Sequence, residues 1–250
     1  MFKSGMVGDF EQSDGTIDFY LRVRSLLDGS SRVLDYGAGR AAWFYVDECE
    51  TRRRLLNLGE VVHELVACDI DPVVLENPVA HSKFLVDENG ITPFQDESFD
   101  VVVCDWVLEH VQHPMSFFLE INRILKPGGF FCARTPHKFN YVSIAASVIK
   151  NSSHSKVISA IQPGRLDIDV FPTCYRLNTL AEIRRVFKGY ASKSFVFRAN
   201  PAYFFGNRIV YWLMMILHRI APSFLIGSLF VFLQKPMQNP VVNSSISRQT

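Results

Sequence analysis

Short apolar runs alternate with segments of helical period from residue 16 to residue 135. Residues 16–27 carry apolar side chains at Ile17, Tyr20, Leu21, Val23 and Leu27, a spacing that predicts a helix before the first strand. Strands are expected at 32–36, 61–68, 82–86, 100–105 and 129–135, with helical segments at 42–58, 72–76 and 115–125. A loop at 87–98 and a Lys-Pro-Gly-Gly turn at 126–129 punctuate the series. Strands this short and apolar, interleaved with helices, predict a parallel α/β sheet covered on both faces.

After Thr135 the rhythm breaks. About forty residues, His137 to Asn178, precede the next helix at 179–187, and a connection that long usually forms a lid or binding loop. A strand is expected at 192–198, a helix at 208–220 and a closing strand at 229–233. The layout is one domain: an arm and helix over 1–30, a ligand-binding core over 31–136, a lid insertion over 137–178, sheet completion over 179–236, and a polar tail over 237–250 that reads as disordered.

The segment 208–234 is the most apolar of the chain. His218, Arg219 and Pro222 interrupt it, leaving no charge-free run long enough to span a bilayer. An amphipathic helix placed before a final core strand is the plain expectation. The sharper one is a helix that rests on a membrane or on an apolar substrate tail.

Composition adds exclusions. With 250 residues, 48% of them hydrophobic, the chain can bury one substantial core. A net charge of +1 offers no general attraction to nucleic acid. Cys49, Cys68, Cys104, Cys132 and Cys174 form no CxxC pair and have no neighbouring histidine, so no metal site is expected. They read as reduced cytosolic thiols. Residues 1–15 lack the apolar run of a secretory signal, and the protein is expected in the cytoplasm, with 208–234 as the place for peripheral contact with the inner membrane face.

The chemistry concentrates in Val33-Leu-Asp-Tyr-Gly-Ala-Gly-Arg40, a strand that ends in a glycine turn. Gly37 and Gly39 let the backbone turn sharply and let a ligand approach without a Cβ in the way. The stretch satisfies a loose dinucleotide pattern, yet Asp35, two residues before the first glycine, would repel a pyrophosphate at the helix start. A carboxylate there suits an ammonium or sulfonium. Asp69, thirty positions after Gly39, can accept both hydroxyls of a ribose, with Asp71 as a competitor and a helix N-cap as the plainer role. An adenosine joined to a cationic amino acid, S-adenosylmethionine, fits both acids.

Four ordered motifs carry a family resemblance. VLDYGAG, ACDIDP, ITPFQDESFDVVVCDWVLEHV and ILKPGGFF together resemble the class I S-adenosylmethionine-dependent methyltransferases, the small-molecule group that includes quinone-biosynthesis enzymes above all. The resemblance runs from about residue 31 to residue 136. It implies a Rossmann-like, doubly wound fold with a seven-stranded, mostly parallel sheet whose last strand is antiparallel. It also implies cofactor contacts from Asp35, Gly37, Gly39, Asp69, Ile70 and the backbone of Cys104, with Asp87 or Glu88 at the adenine. Two positions depart from the family: Ala41 stands where a third glycine often occurs, and Thr92 replaces the usual leucine.

The implied activity is methyl transfer to a small-molecule, glycan or lipid-linked acceptor, at oxygen. An acceptor hydroxyl would need a base, and His110, His137, His154 and Tyr175 are the candidates, with Tyr141 and Arg176 nearby in the insertion. For each of them a plain surface role is the alternative. Glu109 reads equally as a helix-start acid or a substrate-facing one. A binding protein that kept the fold without turnover, or a nucleotide-dependent oxidoreductase or epimerase, are the competing functions.

Overall fold

The computed structural model describes residues 8, 10, 11, 13–87, 90–141, 143, 144, 172–198 and 208–237. Helix α1 (Gly15–Arg24) is N-capped by Asp14, whose carboxylate accepts from the backbone N–H groups of Thr16 and Ile17. Strand β1 (Arg32–Tyr36) follows, and Asp100 ties down its start by accepting from Arg32 N at 2.8 Å while pairing with Lys126.

The expected helix over 42–58 is instead two short ones, α2 (Trp43–Val46) and α3 (Glu50–Leu56). Asp47 breaks them apart: its carboxylate accepts from Cys49 N and clasps Arg52 through both oxygens, an Asx-type contact that competes with the helical ladder. A 3-10 turn at Leu58–Glu60 then delays β2 to Glu64–Asp69. Strand β3 (Ser82–Leu85) and strand β4 (Phe99–Asp105) complete this half.

Helix α4 (Pro114–Ile124) buries Phe117, Ile121 and Ile124 on one face, a spacing of four and three residues. Thr92 is anchored to it: its N–H and hydroxyl donate to Glu120 at 2.9 and 2.5 Å, and Arg123 binds the same carboxylate. The polar side chain where leucine is usual thus pins the loop after β3.

Strand β5 (Leu125–Pro136) pairs with β4 in parallel, with the Lys-Pro-Gly-Gly segment bulging out between the pairs Phe99↔Leu125 and Val101↔Phe130. Helix α5 (Leu180–Val186) precedes β6 (Ala191–Ser192) and β7 (Phe195–Phe197), two short strands where one was expected over 192–198. Helices α6 (Arg208–Ile220) and α7 (Ser223–Ile226) lead to β8 (Ser228–Gln234).

The sheet has eight strands rather than seven among the described residues. Its order is β3-β2-β1-β4-β5-β8-β6, with β7 also pairing β8; β1 to β5 are parallel and β8 runs antiparallel to β5. One side buries Leu34, Val102, Ile121 and Phe131, where Phe131 stacks on Phe187 at 5.0 Å. The other buries Val33, Val103 and Phe19 against Phe230 and Phe232. Each of these fully buried side chains contributes about 1.5–3 kcal/mol, so both faces are needed to hold the strands. Residues 145–171 of the insertion and the tail beyond Met237 lie outside the described residues.

Candidate active site

The parallel strands end at one edge of the sheet, and three carboxylates lie near those ends: Asp35, next to last on β1, Asp69, last on β2, and Asp105, last on β4. Open parallel sheets bind ligands at this edge, where the strand order reverses around β1 and β4. The turn after β1 is held to β2 by Gly37 N and Ala38 N, which donate to Cys68 O at 2.8 and 3.2 Å. Gly37 (φ 77°) and Gly39 (φ 51°) both take the left-handed conformation. A Cβ on Gly37 would stand 2.4 Å from Val107 Cγ2, whereas one on Gly39 would meet open space up to Asp69 Oδ2 at 4.0 Å.

Asp69 accepts from Gly39 N at 2.8 Å on Oδ2 and from Asp71 N at 3.0 Å on Oδ1. The N-cap role falls to Asp71, which accepts from Val73 N at the 3-10 turn Pro72–Glu76. Asp69 is thereby left facing the glycine turn across the ligand edge. Burial raises its carboxyl above the usual range, and the backbone donors pull it back down in part.

Asp35 differs from both neighbours. Its side chain keeps partial contact with solvent but accepts no hydrogen bond from the described residues. Burial, then the charges of Asp105 and Asp69, push its carboxyl up to about 7. A carboxylate without a counter-ion among the described residues, next to a glycine turn with room at Gly39, suits a cation brought by a ligand. These residues fit the ammonium of an amino-acid group and the sugar hydroxyls of an adenosine.

The remaining residues expected at the cofactor divide. Ile70 is 47% exposed, a large apolar side chain directly after Asp69. Cys104 is fully buried beside the ends of β1 and β4, and burial raises its thiol well above the usual range, so it stays protonated. Asp87 follows β3 and accepts from Ile91 N at 3.3 Å. Glu88 lies outside the described residues.

The base candidates also divide. His110 sits in a 3-10 turn at Leu108–His110, partly exposed, with Nδ1 at 2.9 Å from Pro172 O. A donor role for Nδ1 places the lone pair on Nε2. His137 is buried against Phe139 and Phe224, accepts Phe139 N–H on Nδ1 at 3.2 Å, and has its pKa lowered by burial. Its lone pair is already engaged, which weakens it as a base. Tyr175 takes φ 50°, and both its N–H and that of Cys174 donate to Glu109 O. Arg176 reaches Gln112 O at 2.7 Å, so the segment 172–176 folds over the turn that carries His110. Tyr141 packs its ring on His218 at 5.8 Å. His154 lies outside the described residues. Glu109 is buried and accepts the Thr135 hydroxyl at 2.8 Å, with Asn178 donating to that hydroxyl at 2.6 Å, an arrangement that braces the turn.

Sequence reasoning missed one cluster. Arg134 on β5 donates to both oxygens of Asp105 at 2.7 Å, to Thr16 Oγ1 at 2.9 Å, and its guanidinium lies over the rings of Trp106 and Phe19. Tyr20 donates to Asp105 at 3.3 Å. The available signal was a single arginine in the apolar run Phe130-Phe-Cys-Ala-Arg-Thr135: a charge on a strand covered on both faces must have a partner.

Comparison with known proteins finds partial matches. Residues 49–133 match the model of a methyltransferase domain. A Mycolicibacterium smegmatis protein described as a "probable S-adenosylmethionine-dependent methyltransferase" is 34% identical over 112 residues, 42% of each chain. An uncharacterized methyltransferase of Schizosaccharomyces pombe is 43% identical over 42 residues, 17% of this chain and 15% of that one. The matched stretch therefore spans less than half the length of both relatives. Among solved structures, a complex of the Haloferax volcanii Trm112 methyltransferase activator with a methyltransferase superposes with TM-score 0.58 at 18% identity, over 87% of this chain and 90% of that one. That likeness is one of fold.

Proposed function

We propose that this chain, of which residues 49–133 match a methyltransferase domain, is a class I S-adenosylmethionine-dependent methyltransferase that transfers a methyl group to an oxygen of a small-molecule, glycan or lipid-linked acceptor. Asp35 is the observation that carries this reading: a strand-end carboxylate, pushed up to about 7, that accepts nothing from the described protein. It holds the ammonium of the methyl donor. The turn Gly37–Gly39 passes beneath the amino-acid arm, Asp69 accepts from the ribose hydroxyls, Ile70 covers one face of the adenine, Asp87 or Glu88 meets its edge, and the Cys104 backbone closes the site. A pyrophosphate, as in NAD, has no place beside three carboxylates.

When bound, S-adenosylmethionine supplies a methyl carbon activated by the sulfonium, and the C–S bond breaks with its electron pair going to sulfur as the new bond forms. The protein orients the acceptor in line with that bond and keeps water out. Nε2 of His110 takes the acceptor proton, because the tautomer set by the Pro172 carbonyl puts the lone pair there.

Isothermal titration with S-adenosylmethionine and with NAD tests the donor, and transfer of labelled methyl into extracts tests turnover. Binding of the methyl donor alone, abolished by Asp35→Ala in a protein that keeps its melting transition, is the expected result. Tighter binding of NAD, or no donor binding by folded protein, overturns the reading. Donor binding without any labelled product, across extracts of aqueous and lipid fractions, favours a non-catalytic binding protein.

A further inference from the structure

Helix α6 leaves much of its apolar surface uncovered. Ile209, Trp212, Leu213, Ile216, Leu217 and Ile220 are 43% to 75% exposed, and their spacing puts them on one stripe about 17 Å long. The opposite side packs inward: His218 is buried against Tyr141, and its carbonyl accepts from Arg198. The expected amphipathic helix before the last core strand is therefore present, with its apolar face exposed.

Charge indicates what the stripe meets. No Asp or Glu follows Glu182, whereas nine Lys and Arg do, so residues 183–250 carry +9 and residues 1–182 carry −8. The near-neutral total conceals this segregation. Arg219 stands exposed on α6 itself. An apolar face with a tryptophan, on a helix that has no Asp or Glu of its own, carries Arg219 and receives Arg198 at its last turn, matches an anionic lipid surface; Glu11, which acts on Tyr211, is the acid set against it. No helix among the described residues is long and apolar enough to cross a membrane, so α6 would lie along the surface.

The position of α6 relates this surface to the site. Ser228, directly after α7, pairs with Pro136, the last residue of β5, and Phe224 of α7 packs on His137. The end of α6 therefore stands at the same edge as Asp35, Asp69 and Asp105. We infer that α6 docks the protein on an anionic bilayer and turns the site edge toward it, so that the acceptor is an amphiphile held in that bilayer. The docking stands on α6 alone; the class of acceptor rests on the proposed methyl transfer.

Co-sedimentation of the full chain with phosphatidylcholine vesicles, with and without about 30% phosphatidylglycerol, tests the docking. Binding to the anionic vesicles, at least tenfold weaker without phosphatidylglycerol or in high salt, is expected. Leu213→Ser with Ile216→Ser should lower it a further tenfold or more, while the melting temperature and the titration with S-adenosylmethionine stay unchanged. Equal recovery with both vesicles, or none with either, overturns the docking. So does a serine variant that melts earlier or changes oligomeric state with vesicle binding unaltered, because the stripe is then covered by this chain or by a second copy. For the acceptor, labelled methyl should enter the organic phase of a lipid extract; label confined to the aqueous phase overturns that class. Vesicle binding without donor binding would sink the methyltransferase reading and leave the docking intact.

Discussion

Arg134 closes on Asp105 with two hydrogen bonds of 2.7 Å, and this filled ion pair stands beside Asp35, which has no cation among the described residues. The two acids share one sheet edge and opposite circumstances. Arg134 is consumed by Asp105, Thr16 and two aromatic rings, so it cannot turn to Asp35 as well. The proposed function uses this carboxylate for the ammonium of the methyl donor.

Removing one member of the buried pair should be costly. Arg134→Met leaves Asp105 uncompensated, and urea denaturation should show a loss of about 3–5 kcal/mol. The double change Arg134→Met with Asp105→Asn should recover most of it. A single variant as stable as the parent would mean that the pair is solvated and of little consequence.

Donor affinity should depend on pH through Asp35. Its folded pKa of about 7 lies above the unfolded value, so its contribution to apo stability is present in acid and is lost as pH rises from about 4 through 7. Only the ionised form holds an ammonium, so titration calorimetry should find binding about tenfold weaker at pH 6 than at pH 8. Asp35→Asn should flatten that dependence, weaken binding throughout, and raise the apo melting temperature at pH 8.

The glycine turn should respond differently at its positions. Gly37→Ala places a methyl 2.4 Å from Val107 at φ 77°, a cost of about 1–3 kcal/mol that Val107→Ala should partly relieve. Gly39→Ala has room and should cost about 1 kcal/mol, with its main effect on ligand binding. Ala41 already holds φ 50°, so Ala41→Gly should stabilise by about 1 kcal/mol. Thermal melts of the three variants check the order.

His137 should act on stability rather than chemistry. Burial lowers its pKa below the unfolded value, so the stability it contributes is present above about pH 6.5 and lost as pH falls. His137→Phe should reduce the acid-side loss in a pH series of melts and leave methyl transfer within a few-fold. His110→Ala, in contrast, should depress turnover by about 100-fold or more with donor binding retained. Equal losses from both would place the proton transfer elsewhere.

Sequence by itself determined the α/β alternation, the glycine turn and the acids Asp35 and Asp69, because local pattern and strand-end chemistry are written in consecutive residues. It could not decide the break at Asp47, which depends on a side chain capturing Arg52, nor the splitting of 192–198 into two strands along β8. Sequence favours Asp69 over its competitor Asp71 for the ribose; the backbone N–H groups of Val73 and Gly39 separate their circumstances. The tertiary structure alone joined Arg134 to Asp105, 29 residues apart, and left the α6 stripe uncovered. Partnering and exposure are relations between distant segments, and no local pattern specifies them.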